Sequence, residues 1–138
     1  MNITFVFILA GIIAIGGLML FIILRSEKHK PLNVENYRVR CLANEQLLKK
    51  GEKSSYHLTI INADKLVDQA LRESGIKGQT MGERLRNSGE RFCDLNGIWG
   101  AHKLRNRIAH EPDATISYDE ARWALSKYRK ALKDLGAI

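Results

Sequence analysis

The sequence has no arrangement of cysteine or histidine that matches a metal site. Its two cysteines, Cys41 and Cys93, are isolated and form no Cys-x-x-Cys motif. In a reducing cytoplasm such cysteines are free thiols, and we expect both to lie in the core. The four histidines lack zinc-ligand spacing, since His102 and His110 would lie ~12 Å apart along one helix. We therefore predict neither a metal nor any other cofactor.

The sequence also lacks the strict alternation of apolar and polar residues that indicates a half-buried β-strand. It contains no internal repeat and no low-complexity segment. In the carboxyl-terminal part of the chain, apolar residues instead recur at intervals of three and four, which is typical of amphipathic helices. The sequence therefore predicts an all-α protein.

At its amino terminus the sequence contains a long apolar run from Ile3 to Leu24, in which Thr4 is the one polar side chain. A helix over this run would span roughly 33 Å at ~1.5 Å per residue, enough to cross a hydrocarbon core of about 30 Å. We predict a transmembrane helix over residues 1–25, with residues 3–24 in the lipid bilayer. A juxtamembrane linker over residues 26–32 would follow it.

The flanks of this run distinguish an anchor from a secretory signal peptide. A signal peptide has basic residues before a shorter apolar stretch and a small-x-small cleavage site after it, and the sequence has none of these. Arg25, Lys28 and Lys30 follow the run, whereas only the α-amino group precedes it. By the positive-inside rule, we expect a single-pass membrane protein whose carboxyl-terminal domain lies in the cytoplasm.

Residues 33–138 are enough for one small domain, and helix-capping residues divide them. Capping-box sequences begin at Thr80 and Ser117, and helix-stopping residues stand at Gly51, Gly75 and Pro112. The pattern predicts helices from Leu32 or Asn33 to Lys50, from Ser54 or Ser55 to Ser74, from Thr80 to Asn87, from near Asp94 to His110, and from Ser117 to Leu135. Packed together, they would form a bundle of four main helices and one short helix.

The net charge of +7 falls entirely outside the apolar run. A basic domain beside a membrane can bind anionic lipid or nucleic acid by charge alone. Composition leaves both alternatives open.

The predicted helix that ends at His110 has two organised faces. At ~100° per residue, one sector is small and apolar and would face the core: Gly97, Ala101, Leu104 and Ile108. The opposite sector collects aromatic and polar side chains: Trp99, His102, Asn106 and His110. Arg105 lies on the flank between the two sectors. A purely solvated face would more often carry lysine and glutamate.

The residue types of this second face suit the cleavage of a phosphodiester. Arg105 offers a planar fork of donors that matches phosphate oxygens, and His110 can exchange a proton near neutral pH. Asn106, one turn before His110, can orient the imidazole or hold a phosphate oxygen. In RNA the 2′-hydroxyl is an internal nucleophile, so a base beside a cation can cleave the chain without a metal.

Each of these residues also has a structural interpretation. Arg105 and His110 would interact favourably with the carboxyl-terminal dipole of their helix. Trp99 could stack on a base or anchor a dimer, and His102 could simply line the same face. Lys103 and Arg107, beside that face, could guide RNA phosphates or only keep the surface hydrated.

The segment Arg105-Asn106-Arg107-Ile108-Ala109-His110 resembles the Arg-x(4–6)-His signature of the HEPN superfamily, named for higher eukaryotes and prokaryotes nucleotide-binding. In that signature a polar residue commonly follows the arginine, as Asn106 does. The superfamily is all-helical, with its signature on a late helix ahead of a final one. The helices predicted here have the same order, so the resemblance implies a HEPN-like helical domain over residues 33–138.

The resemblance implies more than the spacing alone. Many HEPN proteins are metal-independent endoribonucleases that act as toxins or defence effectors and leave a 2′,3′-cyclic phosphate. They are dimers whose two motifs meet across one cleft, so Arg105 and His110 would be catalytic and Asn106 supporting. An antitoxin or other protein partner would accompany such an activity. Other members are inactive dimerising or nucleotide-binding modules, and the membrane anchor departs from the familiar toxins. A non-catalytic interaction module at the cytoplasmic membrane face is therefore the alternative.

Overall fold

The computed structural model describes residues 2–25 and 31–138. In that part of the chain every regular element is helical, as the absence of strand patterns predicts. The helices are α1 (Ile3–Arg25), α2 (Val34–Leu47), α3 (Lys53–Glu73), α4 (Met81–Asn87), α5 (Leu95–His110) and α6 (Tyr118–Asp134), with a 3₁₀ turn at Gly89–Arg91. Most of the predicted linker, together with Lys28 and Lys30, falls on residues 26–30, which lie outside the described residues.

Helix α1 differs from the other helices because the side chains of Ile3–Leu24 are unburied and, apart from Thr4, not polar. Residues Ile3–Leu24 have a mean hydropathy of 2.9, and none of the most apolar stretch is buried. A soluble protein would normally bury a helix of this kind against its core. Helix α1 is therefore long and apolar enough to cross a membrane, as predicted.

Helix α3 is the central element of the remaining helices and packs against α2, α4, α5 and α6. Its buried face carries Ile60, Val67 and Leu71, which are completely inaccessible to solvent. Tyr128 and Leu132 of α6 are buried in the same core. Burial of each of these aliphatic side chains stabilises the folded state by about 1.5–3 kcal/mol.

The turn between α2 and α3 differs from its prediction. Helix α2 ends at Leu47 rather than Lys50, and α3 begins at Lys53 with Glu52 at the cap position. Ser55 does not cap α3: its hydroxyl instead donates to the Glu52 carbonyl at 2.7 Å and accepts from the Lys49 amide at 3.1 Å. These two bonds stabilise a turn over residues 48–52. This turn is longer than the single glycine stop that the sequence predicts.

The starts of α4, α5 and α6 agree with the predicted helix starts. Asp94 accepts from the amide of Gly97 at 2.9 Å, and Thr80 accepts from the amide of Glu83 at 3.2 Å. Ser117 and Glu120 form a complete capping box. These caps fix where α4, α5 and α6 begin, and therefore which of their residues face α3.

The two cysteines were both expected in the core, and this is correct for one of them. Cys41 is buried, and burial raises the pKa of its thiol. Cys93 is exposed, because it lies in the short segment between the 3₁₀ turn and α5, where its amide donates to Asp134.

The glycines of α5 make room for side chains of α6 rather than for another backbone. A Cβ atom at Gly97 would lie 2.8 Å from Cδ of Lys127 and would collide with the carboxylate of Asp94. A Cβ atom at Gly100 would lie 2.7 Å from the indole of Trp123. Helix α5 can therefore approach α6 closely at these two positions.

Gly97→Ala should destabilise the protein even though alanine favours a helix. The propensity gain is about 1 kcal/mol, whereas overpacking costs about 1–3 kcal/mol and loss of the Asp94 cap about 1 kcal/mol. We expect urea denaturation to show a lower free energy of unfolding, by about 1–3 kcal/mol in sum. Asn96→Ala, at an exposed neighbouring position, is the control and should change it by less than about 0.5 kcal/mol. A more stable Gly97→Ala variant would contradict the packing described.

Candidate functional site

A cleft of about 560 Å³ opens between α3, α4 and α5. From α5 it is lined by five of the residues singled out in the sequence: Trp99, His102, Lys103, Arg105 and Asn106. The opposite walls come from α3, from α4 and from the loop before α4: Asp64, Lys65, Asp68, Gln79, Thr80, Met81, Gly82, Arg84 and Arg86. Most of its charged side chains are basic, so the cleft suits an anionic ligand.

A buried carboxylate, Asp64, forms the floor of the cleft. Only 4% of this residue is exposed. One carboxylate oxygen lies 2.8 Å from Nδ1 of His102 and accepts from the hydroxyl of Tyr128 at 2.9 Å. The other oxygen lies 3.4 Å from Nε of Arg105. Since burying a charge is costly unless it is paired and hydrogen-bonded, these contacts from α5 and α6 compensate the burial.

His102 has one fixed and one available ring nitrogen. A carboxylate oxygen accepts hydrogen bonds, so Nδ1 is the ring nitrogen that donates to Asp64, and in this tautomer Nε2 is the acceptor nitrogen. Nε2 makes no hydrogen bond to the described residues. The side chain is 12% exposed, and its ring meets the Trp99 indole edge-on at a centroid distance of 6.1 Å. His102 therefore presents a basic nitrogen within the cleft that it lines.

Tyr128 acts as a donor to Asp64. Burial raises the pKa of the Tyr128 phenol, and the charge of Asp64 and their hydrogen bond raise it further. The phenol therefore stays protonated at physiological pH. It donates its proton to the carboxylate and so helps to keep Asp64 in place.

The guanidinium of Arg105 lies against Asp64 on one side and keeps unbonded donors on the other. Its Nε is buried and close to Asp64, but its N–H is not aligned for a hydrogen bond, so charge attraction holds it there. Nη1 donates to the Asn106 side-chain oxygen at 3.2 Å. The remaining guanidinium donors make no hydrogen bond to the described residues, and 29% of the side chain is exposed. Those donors remain available to an anion.

The basic residues around the cleft fall into two groups. Arg84 is buried and binds Asp68 through two bonds of 2.7 and 3.1 Å, and it also donates to the carbonyl of Gly78. Its role is thus to attach α4 to α3. In contrast, three exposed cations have no ion pair among the described residues: Lys65, Arg86 and Lys103. Asp68 also pairs with Arg72, one turn later on α3, but at 3.6 Å this pair is longer than the pair with Arg84.

Two of the predicted site residues lie outside this cleft. His110 is the last residue of α5, and its exposed side chain makes no hydrogen bond or ion pair with the described residues. Arg107 lies 3.9 Å from Glu111 and 3.8 Å from Glu120, on the side of α5 that faces the start of α6. His110 follows Arg105 by five positions, which places them ~7.5 Å apart along the helix axis.

The sequence interpretation missed Asp64. Asp64 is not among the site residues predicted from the sequence, although its carboxylate is buried and lines the cleft. A signal was present, because Asp64 occupies the i+4 position of the stripe Ile60, Asp64, Val67 and Leu71. A charged residue at a core position needs buried partners, and here they are His102, Arg105 and Tyr128.

Comparison of the chain with protein-family models, curated proteins and solved structures gave no match. Among residues 2–25 and 31–138, no three histidine, cysteine, aspartate or glutamate side chains are grouped so that they could hold a metal ion. The described part of the chain is all-helical and has a basic cleft. In this cleft the guanidinium of Arg105 and the imidazole of His102 both contact the buried carboxylate of Asp64. The chemistry of this cleft is therefore the basis for a function.

Proposed function

We propose that the protein is a membrane-anchored, HEPN-like endoribonuclease of the toxin or defence type, which acts as a homodimer and needs no metal. One observation carries the proposal. Arg105, the arginine of the Arg-x(4–6)-His signature, opens into the cleft with Asn106 bonded to it and exposed cations around it. A phosphodiester would find there a fork of donors for its oxygens and a positive rim for its neighbours.

In the proposed reaction Arg105 binds the scissile phosphate of RNA. The 2′-oxygen attacks phosphorus as its proton is removed, the bond from phosphorus to the 5′-oxygen breaks, and that oxygen leaves with a proton. The products are a 2′,3′-cyclic phosphate and a 5′-hydroxyl. The guanidinium stabilises the additional negative charge of the phosphorane, Asn106 orients Arg105, and His110 transfers a proton.

His110 fits a dimeric arrangement of this site. It is exposed at the end of α5 and has no partner among the described residues, so it is free to approach a second copy of the chain. In a dimer the two copies of Arg105, Asn106 and His110 would share one cleft. The exposed Lys65, together with Lys103 and Arg86, would hold the flanking phosphates of the RNA.

The decisive experiment uses the full chain in lipid nanodiscs with EDTA and a mixed pool of RNA. The proposal expects cleavage that is independent of divalent metal and weakens steeply with added salt. Its failure would be the absence of cleavage over a range of protein concentrations at which the chain is folded. Cleavage that requires added magnesium would equally reject the mechanism.

In the proposed topology, α1 anchors the protein and the helical domain is cytoplasmic. Cys93 provides a test, because it is exposed whereas Cys41 is buried. A membrane-impermeant maleimide should leave Cys93 unlabelled in intact spheroplasts and label it after lysis. Cys93→Ser is the control and should abolish the signal in both samples. Labelling of intact spheroplasts to the level of the lysate would place the domain outside.

A non-catalytic, dimerising or RNA-binding interaction module is the second candidate. It is favoured by the attachment of Arg105 to the buried Asp64, which is also what a purely structural arginine would show. In that case Arg105→Ala would change stability or partner binding in a protein that cleaves no RNA, and Trp99→Ala would weaken the dimer. Sedimentation of the full chain as a monomer at micromolar concentration would contradict both the homodimeric ribonuclease and a dimerising module.

A further inference from the structure

The cleft contains a second imidazole that the proposed mechanism does not use. Cleavage of RNA requires two proton transfers, one from the 2′-hydroxyl and one to the departing 5′-oxygen. His110 can make one of them but does not line the cleft. His102 lines it, and its Nδ1 is fixed 2.8 Å from Asp64. The orientation of His102 is therefore set within a single chain.

We infer that His102, oriented by Asp64, is the general base that removes the 2′-hydroxyl proton beside Arg105 of the same chain. This inference rests on the proposed ribonuclease function. The proton passes to Nε2 of His102, the 2′-oxygen bonds to phosphorus, and the 5′-oxygen leaves with the electron pair of its broken bond. It then takes a proton from His110 of either copy.

The placement of His102 and Arg105 supports this assignment. They are three residues apart on α5, ~4.5 Å along the axis, and therefore project from the same side of the helix. They also contact the two different oxygens of one carboxylate, at 2.8 and 3.4 Å. Asp64 thus holds an imidazole and a guanidinium side by side, and both line the same cleft.

Asp64 is a positioning residue in this scheme, because it acts through His102. Its hydrogen bond selects the ring tautomer that leaves Nε2 unprotonated, and its charge stabilises the imidazolium that forms when Nε2 takes a proton. Tyr128 and Arg105 in turn hold the carboxylate. Further charged residues of α3, α4 and α5 line the same cleft as His102: Lys65, Asp68, Arg84, Arg86 and Lys103. None of these cations is bonded to the imidazole.

The test compares the full chain in nanodiscs with His102→Gln, a side chain that can still donate to Asp64 but cannot exchange a proton. We expect kcat for RNA cleavage to fall by about 10²–10⁴-fold, the contribution of a general base. His57→Gln is the matched control, a half-buried histidine outside the cleft, and should leave kcat unchanged. Melting curves of all three proteins establish that they are folded.

A second variant, Asp64→Asn, keeps the inference testable if His102→Gln folds poorly. Removing the negative charge disfavours the imidazolium, so the fall of kcat towards acid pH should move to lower pH than in the wild type. A structural role of Asp64 would lower the amount of folded enzyme without moving this inflection. An unmoved inflection, or full activity of His102→Gln beside an inactive Arg105→Ala, would overturn the inference alone. A wild-type chain that cleaves no RNA would overturn the proposed function as well.

Discussion

Arg105→Ala is expected to reduce kcat/KM for RNA cleavage by about 10²–10³-fold, the loss that follows removal of a donor aimed at developing negative charge. The guanidinium is the group best placed to meet that charge, because Asp64 and Asn106 hold it while its other donors stay open. Arg105→Lys keeps the charge but not the planar fork. It should therefore retain only part of the activity.

The control for this prediction is another arginine-to-alanine change on the same domain. Arg38 lies exposed on α2 and has no ion pair or hydrogen bond among the described residues. Arg38→Ala lowers the net charge of the protein by the same amount and should leave kcat/KM nearly unchanged. If the two variants were equally active and equally folded, Arg105 could not be the phosphate-binding group.

Asp64→Ala is expected to lower the free energy of unfolding by about 3–5 kcal/mol, the usual loss when one partner is removed from a buried ion pair. The change leaves Arg105 without its counter-charge and deprives His102 and Tyr128 of their acceptor. A small domain has only about 5–15 kcal/mol of stability in total, so much of it would be lost. Urea denaturation followed by circular dichroism measures the difference.

Two further variants sharpen this measurement. Lys65→Ala alters the next residue, which is exposed, and should change the free energy of unfolding by less than about 0.5 kcal/mol. Asp64→Asn retains an oxygen that can accept from Tyr128, so it should destabilise less than Asp64→Ala. An Asp64→Ala protein as stable as Lys65→Ala would show that the buried contacts of the carboxylate are not important for the fold.

Capping residues and apolar spacing predicted most of the helical architecture. Thr80 and Ser117 cap α4 and α6 as their capping-box sequences indicated, because local hydrogen bonds decide where a helix begins. Asp94 caps α5, near the start that the sequence predicted for this helix. The turn between α2 and α3 was misplaced because its geometry depends on the hydroxyl of Ser55, whose partner Lys49 lies six residues away. Helix propensities describe single residues and do not predict a contact of this kind.

The site was predictable along α5 but not across the bundle. A helical wheel placed Trp99, His102, Asn106 and His110 on one face of α5, and the first three of these line the cleft. The wheel gives no information about the opposite wall of the cleft, which α4 and its preceding loop form. The cleft extends along α5 only as far as Asn106, so His110 lies outside it. The partners of Asp64 come from helices far apart in the sequence, so no local pattern names them.

The central claim is that RNA bound in the Arg105 cleft is cleaved without a metal, with the 2′-hydroxyl of the RNA itself as the nucleophile. The most direct test gives the full chain, in EDTA, one RNA oligomer and the same oligomer with a single 2′-deoxyribose at the cleaved position, and weighs the products by mass spectrometry. The account predicts a 2′,3′-cyclic phosphate and a 5′-hydroxyl from the first oligomer and no cut at that position in the second. Cleavage at the deoxyribose, or an intact first oligomer, would contradict it.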